Sequence, residues 1–196
     1  TAQVMDCQED DIETRESLDG IIDTVDRLER WTGALLAYLH PLKPQLSGTK
    51  IKDIVAGALV PLQQRIKEKS IQLKLPIWPK NNTIFTDQHL LEQVIYNLLL
   101  NAVDASSIAS QIEIKLEITQ QELILQFLDR GCGMPFTPDP SAISAPTTKR
   151  CGTGIGIPFS FKVCDALGGS LKFEARSGGG TAITMMLPKM LNLPAN

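Results

Sequence analysis

The sequence predicts an α+β fold, a two-layer sandwich in which a mixed sheet is covered by helices, preceded by a long helix. Three observations support this fold class. Apolar residues recur at helical spacing over 51–69 and 87–106. Most strand-like segments come after these helices and do not alternate with them one by one, which argues against a doubly wound parallel sheet. The third observation is a heptad pattern over 18–42.

The first element is the heptad helix 18–42, whose apolar residues form one narrow seam opposite a charged face. The seam consists of Leu18, Ile21, Val25, Leu28, Leu35, Leu39 and Leu42. Such a helix usually packs in a coiled coil or an antiparallel bundle, so we expect a homodimer through 18–42. The alternative is a helix that lies on its own domain. His40-Pro41 ends the helix, and a linker is expected to run to Gly48.

The later elements follow from periodicity and from helix breakers. In order, they are helix 51–69, strand 71–75, helix 87–106, strands 111–119 and 122–128, helix 158–167, and strands 170–175 and 181–187. Pro61 is expected to kink the first of these helices. Thr86 or Asp87 is the expected N-cap of the second. A glycine-punctuated region over 129–156 separates the two halves of the sheet.

Composition restricts the partners and the compartment. The chain has 196 residues, 43% of them hydrophobic, which suffices for one domain and an accessory element. A net charge of −3 and a pI near 5.4 predict no nucleic-acid partner and no direct membrane contact. No apolar run reaches the roughly 18 residues of a membrane span, so we expect a cytoplasmic location. The start at Thr1 suggests a fragment, whose full-length protein could be membrane-anchored.

Three polar residues lie on one stripe of the otherwise apolar helix 87–106, namely Asn97, Asn101 and Asp104. The packing face beside them consists of Leu90, Leu91, Val94, Ile95, Leu98, Leu99 and Ala102. Neutral amide oxygens suit a hard cation such as Mg²⁺, which completes its shell with water and phosphates. On this stripe alone, amides that hydrogen-bond neighbouring strands remain an equal alternative.

Two glycine motifs follow. Asp129-x-Gly131-x-Gly133 comes directly after a predicted strand, where the backbone can approach a planar ligand while the carboxylate accepts from an exocyclic amine such as that of adenine. Tight turns use the same residues, so this motif is weak alone. The segment 152–156 opens a helix whose free N–H groups favour phosphate, and Lys149 adds a positive charge nearby.

In this order and spacing, the motifs resemble the N, G1, G2 and G3 boxes of the ATP-binding domain of sensor histidine kinases. The boxes are Asn97-x-x-x-Asn101, Asp129-x-Gly131-x-Gly133, Gly152-Thr153-Gly154-Ile155-Gly156 and Gly179-Gly180-Thr181. Thr147-Thr148-Lys149 looks like the Thr-Thr-Lys of the nitrogen-regulator-like branch. The resemblance implies a histidine-kinase ATPase-type fold over 47–190, a second dimerisation and phosphotransfer helix over 18–46, the end of a preceding helix or loop over 1–17, and a tail over 191–196.

The resemblance also implies the roles of individual residues. It implies that Asn101 ligates Mg²⁺ with Asn97 beside it, that Asp129 accepts from the adenine amine, and that Lys149 lies near the phosphates. Asn97, Asn101 and Lys149 are the implied catalytic residues, and ATP and Mg²⁺ the implied cofactors. The implied nucleotide-binding residues are Asn101, Asp104, Asp129, Gly131, Gly133, Thr148, Lys149, Gly152, Thr153, Gly154, Ile155, Gly156 and Thr181.

Asn97 further indicates what such a site does with ATP. In the related gyrase and chaperone ATPases, the matching position is a Glu that activates water, whereas an amide cannot accept a proton. We therefore expect poor hydrolysis and transfer of the γ-phosphoryl group to a His on a dimerisation helix, for relay to an Asp of a response regulator. The family's His-Glu/Asp-x-x-x-Pro phosphoacceptor motif is absent, so the acceptor is expected outside this fragment.

Two other functions remain open. A degenerate nucleotide-binding regulatory module would bind ATP as a switch, and Ser144-Ala-Pro146 favours it, since the resembling branch has an aromatic pair there. A serine kinase of the anti-sigma type shares the boxes but does not need the helix 18–42. Cys132 and Cys151 flank two glycine boxes, either as small filler residues or as a redox pair.

Overall fold

The computed structural model describes residues 42–142 and 154–189. The elements are β1 (Ser47–Lys50), α1 (Ile51–Leu59), a 3-10 turn (Val60–Leu62), α2 (Gln63–Glu68), β2 (Gln72–Lys74), β3 (Thr83–Thr86), α3 (Gln88–Ala105), β4 (Gln111–Ile118), β5 (Glu122–Leu128), α4 (Gly156–Ala166), β6 (Ser170–Ala175) and β7 (Thr181–Pro188). Apart from β1 and β3, each corresponds to a predicted element. The heptad helix lies outside the described residues, except for Leu42 at its end.

The main sheet has five strands in the order β2-β4-β5-β7-β6. The pair β2–β4 is parallel and the other pairs are antiparallel, so the predicted mixed sheet is confirmed. In the antiparallel register, Leu128 at the end of β5 lies opposite Ala182 near the start of β7. This register brings the residues after β5 next to the residues before β7, which is where the glycine motifs of both strands lie.

A second, two-stranded sheet pairs β1 with β3 in antiparallel register. The linker expected up to Gly48 ends earlier, because Ser47 and Gly48 belong to β1, so this prediction is wrong for these two residues. The sequence Ser-Gly-Thr-Lys carries no alternating apolar pattern, so only its pairing with distant Thr83–Thr86 makes it a strand. The pair leads directly into α1 and ends directly before α3, and thereby fixes the start of both helices.

The core lies between one face of the sheet and the helices. Alternate residues of β4, β5 and β7 are buried, as expected for strands covered on one face. The predicted packing face of α3 is buried except for Leu90, which is half-buried, while Val103 is buried as well. Cys164 of α4 belongs to this core, where burial raises the pKa of its thiol to about 12. Its thiolate is therefore not formed near neutral pH.

Both ends of α3 are fixed by side chains. At its start, Asp87 is the N-cap, as predicted: Oδ1 accepts from the Leu90 N–H at 3.0 Å. At its end, the Lys69 ammonium donates to the carbonyls of Val103, Asp104 and Ser106, at 2.8, 3.2 and 3.0 Å. A cation at the carboxyl end of a helix satisfies carbonyls that lack an intrahelical partner and complements the helix dipole. The last turn of the polar stripe is thus held from outside the helix.

We expect Lys69→Met to lower the free energy of unfolding by about 2 kcal/mol, because it removes a charged donor from three carbonyls while keeping the apolar stem. The measurement is urea unfolding followed by circular dichroism. Lys67→Met is the matched control, since Lys67 lies in the last turn of α2 with an exposed side chain. Equal stability of the two variants would contradict a capping role for Lys69.

Candidate functional site

Asp129 is the centre of the site. It lies directly after β5 and is only 3% exposed. Its Oδ1 accepts from the N–H of Gly131 at 2.8 Å and from the N–H of Thr181 at 3.1 Å. No residue in the described ranges donates to its other oxygen, Oδ2. Since Thr181 opens β7 and is buried, the carboxylate joins the first and third glycine motifs and keeps one acceptor for a ligand.

Two glycines allow the backbone to approach closely around Asp129. A Cβ at Gly131 would lie 2.3 Å from the carbonyl oxygen of Ala105, at the end of α3. A Cβ at Gly180 would lie 2.2 Å from the carbonyl oxygen of Asp129, and Gly180 also has a φ of +94°. Only residues without a Cβ fit both places. The G1 motif is therefore packed between the end of the polar-stripe helix and the turn before β7.

The N and G2 motifs meet at the start of α4. A Cβ at Gly156 would lie 3.7 Å from Cγ of Asn97, so the Asn97 side chain borders the first residue of the helix. Among residues 42–142 and 154–189, no side chain caps this end of α4, and Pro158 has no N–H of its own. The N–H groups of a helix start combined with an adjacent amide form a polar, net positive environment. This environment fits an anionic group such as a phosphate.

The other two residues of the polar stripe are half-buried on α3. Asn101 lies one turn after Asn97, and Asp104 lies in the last turn of the helix. The Asp104 carboxylate is 3.7 Å from the guanidinium of Arg65 on α2, in a partly exposed pair. Asp104 is therefore oriented at least in part by α2, and its predicted contact with the nucleotide stays a prediction.

A cavity of about 290 Å³ lies beside Thr181, whose N–H donates to the Asp129 carboxylate. It is lined by 134–138, by Phe173–Ala175 of β6 and by Thr181. Phe136 is among the lining residues. A larger open groove of about 630 Å³ lies at the opposite end of the sheet, between Ile77, Leu116 and Lys189, and none of the predicted site residues lines it. The groove is therefore separate from the site around Asp129.

Four predicted site residues lie outside the described ranges, namely Thr148, Lys149, Gly152 and Thr153. The same holds for Cys151, so the suggested pair with Cys132 is not placed, although Cys132 itself is exposed. Gly133 and Gly154, with φ values of +76° and +67°, adopt the left-handed backbone that favours glycine. Ile155 is the N-cap of α4.

Sequence reasoning missed one residue that contacts the site. The Arg176 guanidinium donates to the backbone carbonyl of Asp129 at 2.6 Å. Arg176 lies just after β6, and 47 positions separate it from Asp129. Arg176 is one of 19 Lys and Arg residues in the chain and lies in a turn. No local sequence pattern distinguishes it from the others.

The donor set fits a nucleotide better than a metal ion alone. Within the described ranges, no cluster of three His, Cys, Asp or Glu side chains is suitable for holding a metal. A cation at Asn97 and Asn101 would therefore depend on amide oxygens and on the phosphates of a ligand, which matches the preference of Mg²⁺ for phosphate oxygens. The buried acceptor of Asp129 suits a base and the start of α4 suits its phosphates.

None of the helices in residues 42–142 and 154–189 has both the length and the hydropathy that a membrane span requires.

Comparison with known proteins finds a matching family and several relatives. The family described as histidine kinase-, DNA gyrase B-, and HSP90-like ATPase matches residues 86–191, just over half of the chain. The signal transduction histidine-protein kinase AtoS of Escherichia coli (strain K12) is 26% identical over 189 residues, which cover 95% of this chain and 31% of AtoS. The sensor histidine kinase ZraS of Salmonella typhi is 30% identical over 180 residues, which cover 90% of this chain and 38% of ZraS. The chain thus spans about a third of the length of these relatives.

A solved structure shares the fold. The histidine kinase ThkA, in complex with the response regulator protein TrrA, superposes with a TM-score of 0.65 at 20% sequence identity. The superposition covers 86% of this chain and 49% of that chain. The predicted two-layer sandwich of mixed sheet and helices is confirmed by this likeness and by the strand order.

Proposed function

Because the chain belongs to the histidine kinase-, DNA gyrase B-, and HSP90-like ATPase family, we propose that it is the ATP-binding catalytic part of a sensor histidine kinase. The proposed reaction transfers the γ-phosphoryl group of ATP to a His on a dimerisation helix, for relay to an Asp of a response regulator. The observation that carries the proposal is the buried Asp129 carboxylate, which joins two glycine motifs and whose second oxygen has no donor among the described residues. The sensor histidine kinases AtoS and ZraS, which align over most of this chain, support the same function.

In this proposal the two ends of the site bind different parts of ATP. Oδ2 of Asp129 accepts from the adenine amine. The close backbone packing at Gly131 and Gly180 holds the segment that carries Asp129 in place. Asn97 and the start of α4 bind the phosphates. Asn101 supplies the amide oxygen for Mg²⁺, which when bound would neutralise charge on the phosphates. Lys149 is proposed to add a positive charge there.

Transfer is favoured over hydrolysis by the chemistry of Asn97. A carboxylate beside the start of α4 could take a proton from water, whereas the amide cannot. Catalysis then depends on alignment of the phosphoryl donor with a protein nucleophile and on neutralisation of charge. The side chain at position 97 thus distinguishes a kinase from an ATPase within one family.

The partners are proposed from the relatives and from the sequence. ThkA was solved with a response regulator, and a similar partner is proposed here. The heptad pattern over 18–42 supports a homodimer, with the ATP-binding region over 47–190. The nitrogen-regulator-like branch and a cytoplasmic location are proposed on the same sequence grounds.

The test adds a separately produced helical hairpin that carries a phosphoacceptor His, and follows label from γ-labelled ATP in the presence of Mg²⁺. We expect transfer to the hairpin, and we expect Asn101→Ala to reduce it at least about tenfold through loss of a metal ligand. Asn81→Ala is the control, because Asn81 lies in the groove at the opposite end of the sheet. Tight Mg-ATP binding without transfer would favour the regulatory module, and acid-stable label on a Ser substrate would favour the serine kinase.

A further inference from the structure

We propose that Arg176 is a positioning residue for recognition of the base: it fixes the backbone of Asp129 and thereby the direction of the carboxylate. The inference rests on the proposed function, because it takes Asp129 as the acceptor of the adenine amine. Arg176 itself is not expected to contact the nucleotide. Its effect is transmitted through a single carbonyl.

Asp129 is tied to the β6–β7 hairpin by three of its four polar groups. Its N–H donates to the Thr181 carbonyl at 3.0 Å, and its Oδ1 accepts from the Thr181 N–H at 3.1 Å. Its carbonyl accepts from Nη1 of Arg176 at 2.6 Å. Only Oδ2 has no donor in the described part of the chain. The hairpin therefore determines how the remaining acceptor is oriented.

Among these three bonds, the Arg176 bond is the one to which the hairpin contributes a side chain. Both contacts with Thr181 use its main chain, which any residue at 181 except proline would provide. The Arg176 bond instead depends on a guanidinium, and charge-assisted hydrogen bonds are roughly twice as strong as neutral ones. The backbone of Arg176 is itself held in the turn. Its N–H donates to the Gly180 carbonyl and its carbonyl accepts from the Gly179 N–H, both at 3.1 Å.

The carbonyl of Asp129 needs this donor because little space surrounds it. The backbone of Gly180 approaches so closely that a Cβ there would lie 2.2 Å from this oxygen. A carbonyl in such a position loses water on that side, and an unsatisfied acceptor is costly. Without the guanidinium, rotation of the peptide between Asp129 and Arg130 becomes favourable, because it exposes the Asp129 carbonyl to water, which can donate to it. This rotation would move the carboxylate relative to the base.

The experiment measures base discrimination, which a purely structural role would not change. Calorimetry gives the dissociation constants of ATP and of ITP, which carries an oxo group in place of the 6-amine. In the wild-type chain we expect ITP to bind about tenfold or more weakly, as a hydrogen bond to a charged group implies. In Arg176→Ala we expect the ratio of the two constants to fall at least about threefold. Arg176→Lys should restore part of it, since an ammonium can still donate.

Lys172→Ala is the control, because Lys172 lies on β6, the strand that Arg176 follows, and its ion pair among the described residues is with exposed Glu174 at 2.9 Å. It should leave the ratio unchanged. Arg176→Ala with a lower melting temperature but an unchanged ratio would overturn the inference and leave the proposed function intact. A wild-type ratio near one would instead contradict the base contact of Asp129, and would overturn both.

Discussion

Asp129→Asn is expected to weaken ATP binding about 100-fold while leaving the fold intact. The reason lies in the two N–H groups that already point at one carboxylate oxygen, from Gly131 at 2.8 Å and from Thr181 at 3.1 Å. In the variant, the amide oxygen must face these donors, so the NH₂ group is forced into the position of Oδ2. There it would oppose the adenine amine, donor against donor. A lost bond to a charged group together with an unpaired donor accounts for this loss.

The same reasoning predicts a change of preference. A base with an oxo group at the 6-position presents an acceptor to the new NH₂ group, so ITP should bind Asp129→Asn at least as well as ATP does. Calorimetry with both nucleotides measures this directly. Asp139→Asn is the control, because Asp139 also accepts from a backbone N–H two residues on, that of Ser141, but lies in an exposed turn. Unchanged ATP affinity in Asp129→Asn would remove the proposed base contact.

The sequence was sufficient to predict the elements whose signal is local. Helix α3 is an example, because its N-cap, apolar face and polar stripe all lie within one segment. The position of Asp129 directly after a strand could be predicted for a similar reason, since a carboxylate and two glycines after an apolar segment form a compact local pattern. The order of the glycine motifs then identified the family, which the match over 86–191 confirms.

Contacts between distant segments could not be predicted in this way. The strand Ser47–Lys50 is a strand only because it pairs with Thr83–Thr86, and nothing in its four residues indicates this. The bond from Lys69 to the end of α3 spans 34 to 37 positions, and that from Arg176 to Asp129 spans 47. Each joins a common surface cation to a backbone carbonyl. Every residue has a backbone carbonyl, so the sequence does not indicate which carbonyl accepts from such a cation. The partner is identified only in the folded chain.

The three-glycine turn before β7 shows how much of the site depends on close backbone approach. Gly178, Gly179 and Gly180 all have positive φ values, of +85°, +96° and +94°. Their surroundings differ, because a Cβ at Gly178 would meet nothing within 4 Å, whereas one at Gly180 would lie 2.2 Å from the Asp129 carbonyl oxygen and 2.8 Å from Cα of Arg130. These are backbone atoms, which cannot move aside as a flexible side chain can.

We therefore expect Gly180→Ala to lower the free energy of unfolding by about 3 to 5 kcal/mol, and Gly178→Ala by only about 1 to 2 kcal/mol. Both variants carry the cost of a non-glycine residue at positive φ, so this cost cancels in the comparison. The difference isolates the steric overlap with the segment after β5. Urea unfolding provides both values.

Nucleotide binding should separate the two variants further. A Cβ at Gly180 must displace the Asp129–Arg130 backbone, and with it the carboxylate that accepts from Gly131 and Thr181. Gly180→Ala should therefore lose most of its ATP affinity under conditions in which it remains folded, while Gly178→Ala should bind ATP as the wild-type chain does. Equal losses in both variants would mean that turn flexibility, and not the fit of Gly180 against Asp129, governs the site.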